Sequence, residues 1–166
     1  MSQVTHLYSP CKFKKLMRYH FWFPWPLTNR ECLLDFAAYP VTEKQAMLIL
    51  MKSPEEYLGL DMPLPDANSV RMEVDIGGIF VQWMDVNITR VQILVKANAK
   101  IGNLPGLLPE WLVSFGKKQI MYFLMDSLRH VLLGFEGSEY ETRVQEKKEF
   151  YGALRKVLIG DLGVSL

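Results

Sequence analysis

The alternation of apolar and polar residues predicts a run of β-strands through the first hundred residues. Apolar and charged positions alternate over residues 70–76 and again over residues 88–98, the period expected of strands with one buried face. Gly77 and Gly78 predict a bulge or bend before a further strand. The remaining strand-like runs are rich in aromatic or aliphatic side chains and lie at 12–25, 31–41 and 46–52. We expect consecutive antiparallel strands, with the apolar run at 46–52 buried on both faces.

A long apolar helix is predicted over residues 104–133, because apolar residues recur there at helical spacing. Pro105 and Pro109 suit its first turn, and Gly134 suits its end. Apolar side chains spread around most of this helix, so it is either an ordinary core helix or one that rests against removable apolar material. A second, amphipathic helix is predicted over 140–158. The implied fold class is α+β: a curved antiparallel sheet closed by a long C-terminal helix, with an additional amphipathic helix.

The longest irregular connection spans residues 53–69 and carries three prolines as well as several large apolar residues. Loops of this length within compact domains are usually functional or disordered. An apolar-rich loop favours packing against a surface, and a loop folded onto the body of its own domain is an equally good interpretation.

Composition and charge exclude several classes of function. The 166 residues carry a net charge of +1, so no strong positive field gathers nucleic acid, and we expect no nucleic-acid partner. Cys11 and Cys32 lack metal-ligand spacing, which indicates reduced thiols in a cytoplasmic protein. The N-terminus has no apolar signal core, and the apolar runs are too short to span a bilayer.

Reactive chemistry is sparse in the sequence. The three histidines, His6, His20 and His130, lie far apart without metal-ligand spacing, and no glycine-rich phosphate loop joins a strand to a helix. Acidic residues on strands, Glu73, Asp75 and Asp85, are better explained as solvated charge than as paired acids. We therefore expect no catalytic residues, no metal and no cofactor. The residues favour binding over turnover.

Residues 23–31, FPWPLTNRE, resemble the PWPL and R-D/E signature of START domains, the lipid-transfer relatives of the steroidogenic acute regulatory protein. Further pieces follow in the order of that family: Val70-Arg71, Gly77-Gly78, Thr89-Arg90-Val91, Asn98-Ala99-Lys100 and residues 108–113 (LPEWLV). The resemblance covers residues 12–133, and its specificity comes from the order and spacing of the pieces. Two details depart from the family: Asn98 stands where Asp is usual, and the segment before Leu108 is longer.

The resemblance implies a helix-grip fold, in which a curved sheet wraps a long C-terminal helix and holds a lipid between them. It assigns residues 12–134 to a START-like lipid-binding domain, N-terminally shortened, and residues 135–166 to a C-terminal helical extension. Because START domains have a helix and strands before the PWPL region, the shortening predicts an open sheet edge. Such an edge favours homodimer formation.

Under the same resemblance the ligand is a phospholipid or a sterol. Its predicted contacts come from the sheet and the long helix: Met72, Val74, Val91, Ile93, Val95, Leu112, Gly116, Ile120, Phe123 and Ser127. The 53–69 segment corresponds in order to the loop that gates entry in the family. Its apolar residues are expected to touch a membrane surface transiently: Tyr57, Leu58, Leu60 and Met62.

Two other classes of function compete with a lipid carrier. A helix-grip enzyme of the cyclase or aromatase type requires a polar cluster inside the cavity, such as Asp85 with His20 or Arg90. An interaction module has a cavity filled by its own side chains. An apolar tunnel favours the carrier.

Overall fold

A computed structural model describes residues 2–22, 28–57, 59, 61–85, 88–100, 118, 122 and 125–159. Seven strands form one sheet: β1 (Ser2–Cys11), β2 (Lys14–Phe21), β3 (Asn29–Val41), β4 (Ala46–Lys52), β5 (Ser69–Arg71), β6 (Glu73–Asp85) and β7 (Ile88–Asn98). The strand order is β1-β2-β3-β4-β6-β7, and every neighbour in this path is antiparallel. Short β5 pairs with β3 in parallel. The predicted antiparallel sheet is thus confirmed, with one short parallel pair.

The strands that were predicted best are those with the clearest apolar pattern. β4 and β7 match the runs at 46–52 and 88–98. β1 was not predicted, because its sequence mixes polar and apolar residues and most of its described side chains are exposed. Backbone pairing with β2, from Ser2 opposite Phe21 to Cys11 opposite Lys14, holds this strand in the sheet.

A break and a bulge modify the strand pattern predicted at 70–83. Met72 lies between β5 and β6, and its N–H donates to the Glu31 carbonyl at 2.8 Å. The register of β6 then shifts between Val74 and Ile76. As a result Ile76 is 52% exposed, and the prediction that it shares the buried face of Val74 is wrong. The bulge lies just before the two glycines, which continue the strand.

The two faces of the sheet differ in what covers them. One, which we call the apolar face, carries a core of Cys32, Leu34 and Val74. Partly buried hydrophobic residues pack against that core: Tyr19, Phe21, Phe36, Met51 and Met72. Leu50 points to the other side and is 39% exposed, so the predicted burial of β4 on both faces is wrong at this residue.

The opposite face, which we call the loop face, is covered by described parts of the 53–69 segment. Tyr57 is 3% exposed and packs its ring edge-on against Tyr8, with the centroids 6.1 Å apart. At the start of the segment the Ser53 hydroxyl donates to the Leu33 carbonyl at 3.0 Å and accepts from Val74 N–H at 3.0 Å. The described parts of the segment therefore fold onto their own domain, as one of the two sequence interpretations held.

Among the described residues after the sheet, three stretches are mainly helical: α1 (described over 125–133), α2 (Glu139–Glu146) and α3 (Lys148–Ile159). α1 ends before Gly134 as predicted, and most of residues 104–124, where the sequence predicts the earlier part of a long helix, lie outside the described residues. The predicted helix over 140–158 is two helices interrupted at Lys147. Ser138 caps α2, because its hydroxyl accepts from Glu141 N–H at 3.3 Å. None of the helices in the described ranges has the length and apolar character needed to cross a bilayer.

The chain forms two compact units, residues 1–101 with 157–166 and residues 102–156. The first contains the sheet. The second contains the described residues of α1, all of α2 and most of α3. The predicted division into residues 12–134 and 135–166 stays a prediction.

Candidate functional site

The sheet residues predicted to contact a ligand lie together on the apolar face. Val91, Ile93 and Val95 alternate along β7 and therefore point to one side. Val74 joins them because it pairs with Ala97, which lies on the same side of β7. Met72 packs against the core cluster that contains Val74. Exposure to solvent differs along this surface. Val74 is buried, whereas Val95 is 48% exposed.

The predicted contacts from the long helix are mostly outside the described residues. This holds for Leu112, Gly116, Ile120 and Phe123. Ser127 is described, and it is an exposed residue of α1. The ligand contacts predicted for the helix therefore stay predictions.

Of the four predicted gate residues, Leu58 and Leu60 also lie outside the described residues. Met62 is half-buried. Tyr57 lies on the loop face, where Lys14 Nζ stands 5.3 Å from the centre of its ring. Burial, reinforced by the nearby Asp35 carboxylate, raises the pKa of Tyr57 to about 12. Tyr57 is thus packed against the sheet on the side opposite the apolar face, and membrane contact by the segment stays a prediction.

A buried ionic cluster centred on Glu31 was not predicted from the sequence. The Glu31 side chain is fully buried on the loop face. Its Oε2 accepts from Arg18 Nε at 3.0 Å and from Arg18 Nη2 at 2.6 Å. Its Oε1 accepts from Arg71 Nε at 2.8 Å and from Arg71 Nη2 at 2.5 Å. Each carboxylate oxygen is therefore held by one guanidinium in a charge-assisted arrangement.

The pKa of Glu31 reflects a balance of opposing effects. Burial alone would raise it, because a low-dielectric surrounding disfavours a charged carboxylate. The hydrogen bonds from Arg18 and Arg71, the backbone N–H of Asp66 and the charge of Arg71 outweigh burial and lower the pKa below its usual range. Glu31 is consequently a carboxylate at neutral pH.

The same two arginines attach the 53–69 segment to the sheet. Arg18 Nη2 donates to the Leu64 carbonyl at 3.0 Å, and Arg71 Nη2 donates to the Pro63 carbonyl at 2.6 Å. Asp66 N–H approaches Glu31 Oε2 at 3.4 Å. The ionic cluster thus satisfies backbone groups of the loop as well as Glu31 itself.

On the other face, the buried guanidinium of Arg30 is held by backbone carbonyls. Its Nε donates to the Ala99 carbonyl at 2.9 Å, and its Nη1 donates to the Thr28 carbonyl and the Thr28 hydroxyl at 2.6 Å each. Burial lowers the pKa of Arg30. These bonds join the start of β3 to the end of the sheet unit after β7.

Comparison with known proteins identifies the fold. No protein-family model matches the chain, and no curated protein matches it. Solved structures do. Human STARD10 aligns with a TM-score of 0.64 at 16% identity, over 89% of this chain and 54% of that one. Human StAR-related lipid transfer protein 5 aligns with a TM-score of 0.56 at 15% identity, over 94% and 59%. The chain has a START-like fold.

A third solved structure agrees with the START-like fold. It is the human StarD13 (DLC2) lipid transfer and protein localization domain, with a TM-score of 0.50 at 14% identity, over 66% of this chain and 51% of that one. These structures confirm, at the level of fold, the resemblance to START domains that residues 23–31 and the later motifs indicate. The fold belongs to the α+β helix-grip class. The chain spans between 51% and 59% of the length of these three structures.

On this START-like scaffold the exposed acids of β6 are solvated ion pairs. Glu73 pairs with Lys100 at 2.5 Å and Asp75 pairs with Lys96 at 3.0 Å, and all four side chains are substantially exposed. The explanation of Glu73 and Asp75 as solvated charge is confirmed. His20 instead lies beside Asp66, with its Nδ1 at 3.3 Å from Asp66 Oδ2 and 4.0 Å from Glu31 Oε2.

His20, Glu31 and Asp66 are close enough to offer three ligands to one metal ion. The charges argue against such an ion. Both oxygens of Glu31 already accept from guanidinium groups, and a divalent cation would have to displace at least one arginine. Like charge at this distance disfavours the cation strongly. The donor set fits a structural ionic cluster better than a metal centre.

Proposed function

We propose that this START-like chain binds one lipid against the apolar face of its sheet and carries it between membranes. The observation that supports this most directly is that Met72, Val74 and the three β7 residues at 91, 93 and 95 lie on a single apolar face. Two of the structurally similar proteins are named for lipid transfer. Within the proposal the ligand is a phospholipid or a sterol, and the protein acts in the cytoplasm without nucleic acid.

The energetics of such a site come from apolar contact. Each methylene removed from water contributes about 0.8 kcal/mol, so a dozen methylenes of an acyl chain contribute roughly 10 kcal/mol before ordering costs. The aliphatic residues Val91, Ile93 and Val95 offer this contact without a charged anchor. Shape and area therefore determine affinity, and polar groups select the headgroup.

Contact with a membrane surface belongs to the proposal, because a carrier must collect its lipid from a bilayer. The apolar residues of the 53–69 segment, Leu58, Leu60 and Met62, suit this contact by composition. Tyr57 contributes differently, since its ring is buried against Tyr8. We assign Tyr57 the task of fixing the segment to the sheet.

Native mass spectrometry with lipid extraction tests the proposal on protein purified from cells. We expect one co-purifying lipid per chain. Ile93→Lys places a charge on the apolar face and should abolish lipid retention, whereas Gln92→Lys adds the same charge on the opposite face of the same strand. Thermal unfolding of both variants establishes that they are folded. Equal lipid retention by the two variants would show that the apolar face is not the binding surface.

A second function, self-association through a sheet edge, is favoured by the outer strands. In the described part of the sheet, β1 and β7 lie at the two ends of the strand order. β7 is eleven residues long and exposes Leu94, and an exposed apolar edge favours strand pairing with a second copy. We propose a homodimer through such an edge. Size-exclusion chromatography with light scattering tests it. A wild-type monomer at all concentrations contradicts the dimer.

A further inference from the structure

A polar cleft of 440 Å³ lies beside the ionic cluster on the loop face. It is formed where β1, β2 and β3 meet the end of the 53–69 segment. Its lining includes the imidazole of His20, the carboxylate of Asp66 and amide or hydroxyl side chains of Gln3, Asn68 and Ser69. Phe21 and Trp22 also line the cleft, and Phe21 packs against the core of the apolar face as well, so the side of the cleft that belongs to the loop face is the one formed by His20 and Asp66.

The Asp66 carboxylate, which lines the cleft, lies between Arg18 Nη2 behind it and His20 Nδ1 beside it. Its Oδ1 accepts from Arg18 Nη2 at 3.0 Å, and its Oδ2 lies 3.3 Å from His20 Nδ1. The side chains of Arg18 and His20 are 15% and 16% exposed, while that of Asp66 is 55% exposed. The donors are therefore fixed by the fold, and the acceptor is the exposed member that is able to rotate into solvent.

The surrounding charges favour a negatively charged group at the position of the Asp66 carboxylate. Glu31 does not oppose a second anion strongly, because Arg18 and Arg71 already neutralise it. Without the Asp66 carboxylate, Arg18, Arg71 and Glu31 together carry a local charge of +1, before any contribution from His20. Arg18 contacts Asp66 without lining the cleft itself, so a phosphate would reach it only in place of that carboxylate, and guanidinium groups are common partners of phosphate.

We propose that this cleft binds a phosphate group, presented by a lipid headgroup or by a free phosphate compound, which replaces the carboxylate of Asp66. The phosphate would accept from Arg18 Nη2 and from His20 Nδ1 when that nitrogen carries a proton. Gln3, Asn68 and Ser69 offer further donors along the cleft. Asp66 acts as a built-in competitor that keeps the affinity for phosphate low. The proposal goes beyond lipid carriage and does not depend on it.

Titration with inorganic phosphate, followed through the backbone amide signals of Gln3, Asn68 and Ser69, tests the site. Asp66→Asn removes the competing charge and should tighten phosphate binding by about tenfold. Asp75→Asn is the matched control, because it makes the same charge change at an exposed carboxylate paired with Lys96. It should leave phosphate binding unchanged. His20→Phe removes the second donor and should weaken binding in the Asp66→Asn background.

Two results overturn the proposal. One is an Asp66→Asn protein that binds phosphate no better than the wild type or than Asp75→Asn. The other is a response of the same amides to Mg²⁺ or Zn²⁺ in the wild type that is lost in Asp66→Asn, which identifies a cation site instead. Arg18 is left intact in these tests. Its removal would take one guanidinium partner from the buried Glu31 carboxylate and would impair folding.

Vesicles distinguish the two sources of phosphate. Co-sedimentation of Asp66→Asn with phosphatidylcholine vesicles that contain phosphatidic acid, if it exceeds co-sedimentation with phosphatidylcholine alone and falls to that level when inorganic phosphate is added, assigns the cleft to lipid headgroups. Tight binding of inorganic phosphate without such co-sedimentation assigns it to free phosphate compounds. Ile93 does not line the cleft, so Ile93→Lys should abolish lipid retention on the apolar face and leave the phosphate response of the Gln3 and Ser69 amides intact, which separates failure of lipid carriage from failure of this site.

Discussion

Glu31 and Arg71 face each other on the parallel strands β3 and β5, and their side chains are joined by the guanidinium–carboxylate contact at 2.8 Å. The three-residue strand β5 is therefore held to the sheet by side-chain charge as well as by backbone pairing. Since Arg71 also donates to the Pro63 carbonyl, the same residue fixes the segment that precedes β5. Loss of this residue should affect both the sheet and the loop.

Arg71→Met should destabilise the protein by about 3 kcal/mol, because it leaves the buried Glu31 carboxylate with one guanidinium in place of two. Urea unfolding at neutral pH measures the change. Lys96→Met is the comparison, since it breaks the exposed pair with Asp75 and should cost less than about 1 kcal/mol. Similar losses in the two variants would mean that the buried cluster adds nothing beyond a surface ion pair.

The lowered pKa of Glu31 predicts a defined loss of stability in acid. The folded state favours the deprotonated form of Glu31. The stabilisation of the fold by this carboxylate is therefore complete above the unfolded-state pKa, about 4.3. It is lost as the pH falls through the lower pKa of the folded state. Glu31→Gln cannot ionise. The wild type should therefore be more stable than Glu31→Gln at pH 7, and urea unfolding should show this difference shrinking below about pH 4. A pH-independent difference contradicts the assignment.

Gly77→Ala should destabilise the sheet, because its new Cβ would lie 2.5 Å from Met51 Cγ. Relief requires a shift of the Met51 side chain or of the backbone, which typically costs 1–3 kcal/mol, and we expect about 2 kcal/mol. Gly78→Ala is the control at the adjacent position, where the nearest atom, Leu50 Cδ2, is 3.8 Å away. Combining Gly77→Ala with Met51→Ala should recover part of the loss, and strictly additive effects in that double variant would argue against the contact.

The two cysteines should differ in reactivity with a thiol reagent. Cys11 is exposed, whereas Cys32 is buried in the core of the apolar face. Burial and the neighbouring Glu31 carboxylate raise the pKa of the Cys32 thiol to about 12, so little thiolate is present at neutral pH. We expect one thiol to react in the native protein and two in denaturant. Fast reaction of Cys32 in the native state would show that the core opens readily.

The strands that were predicted correctly have a local sequence pattern that indicates a β-strand. β4 is a continuous apolar run, and β7 alternates in polarity over eleven residues. β1 lacks such a pattern, and its place in the sheet comes from backbone hydrogen bonds to β2. Backbone pairing depends little on side-chain identity, so the sequence of β1 carried little signal for it.

The partners of Glu31 in the ionic cluster were likewise not predictable from the local sequence. Glu31 is a charged residue directly before the apolar run Cys32–Leu34, a position at which burial demands a partner. The partners are 13 and 40 residues away, at Arg18 and Arg71, and the chain contains many other basic residues. Nothing in the spacing distinguishes these two arginines from the others.

The sequence by itself determined the strands with clear alternation, the end of α1 at Gly134 and the resemblance to START domains, because each depends on neighbouring residues or on short motifs in a fixed order. Only the tertiary structure decided that Tyr57 packs on the loop face, that Ile76 is exposed by a bulge, and that Arg18, Glu31, Asp66 and Arg71 form one cluster. These features depend on strand register and on long-range contacts. A one-residue shift in register turns a side chain to the other face, so local patterns cannot specify them.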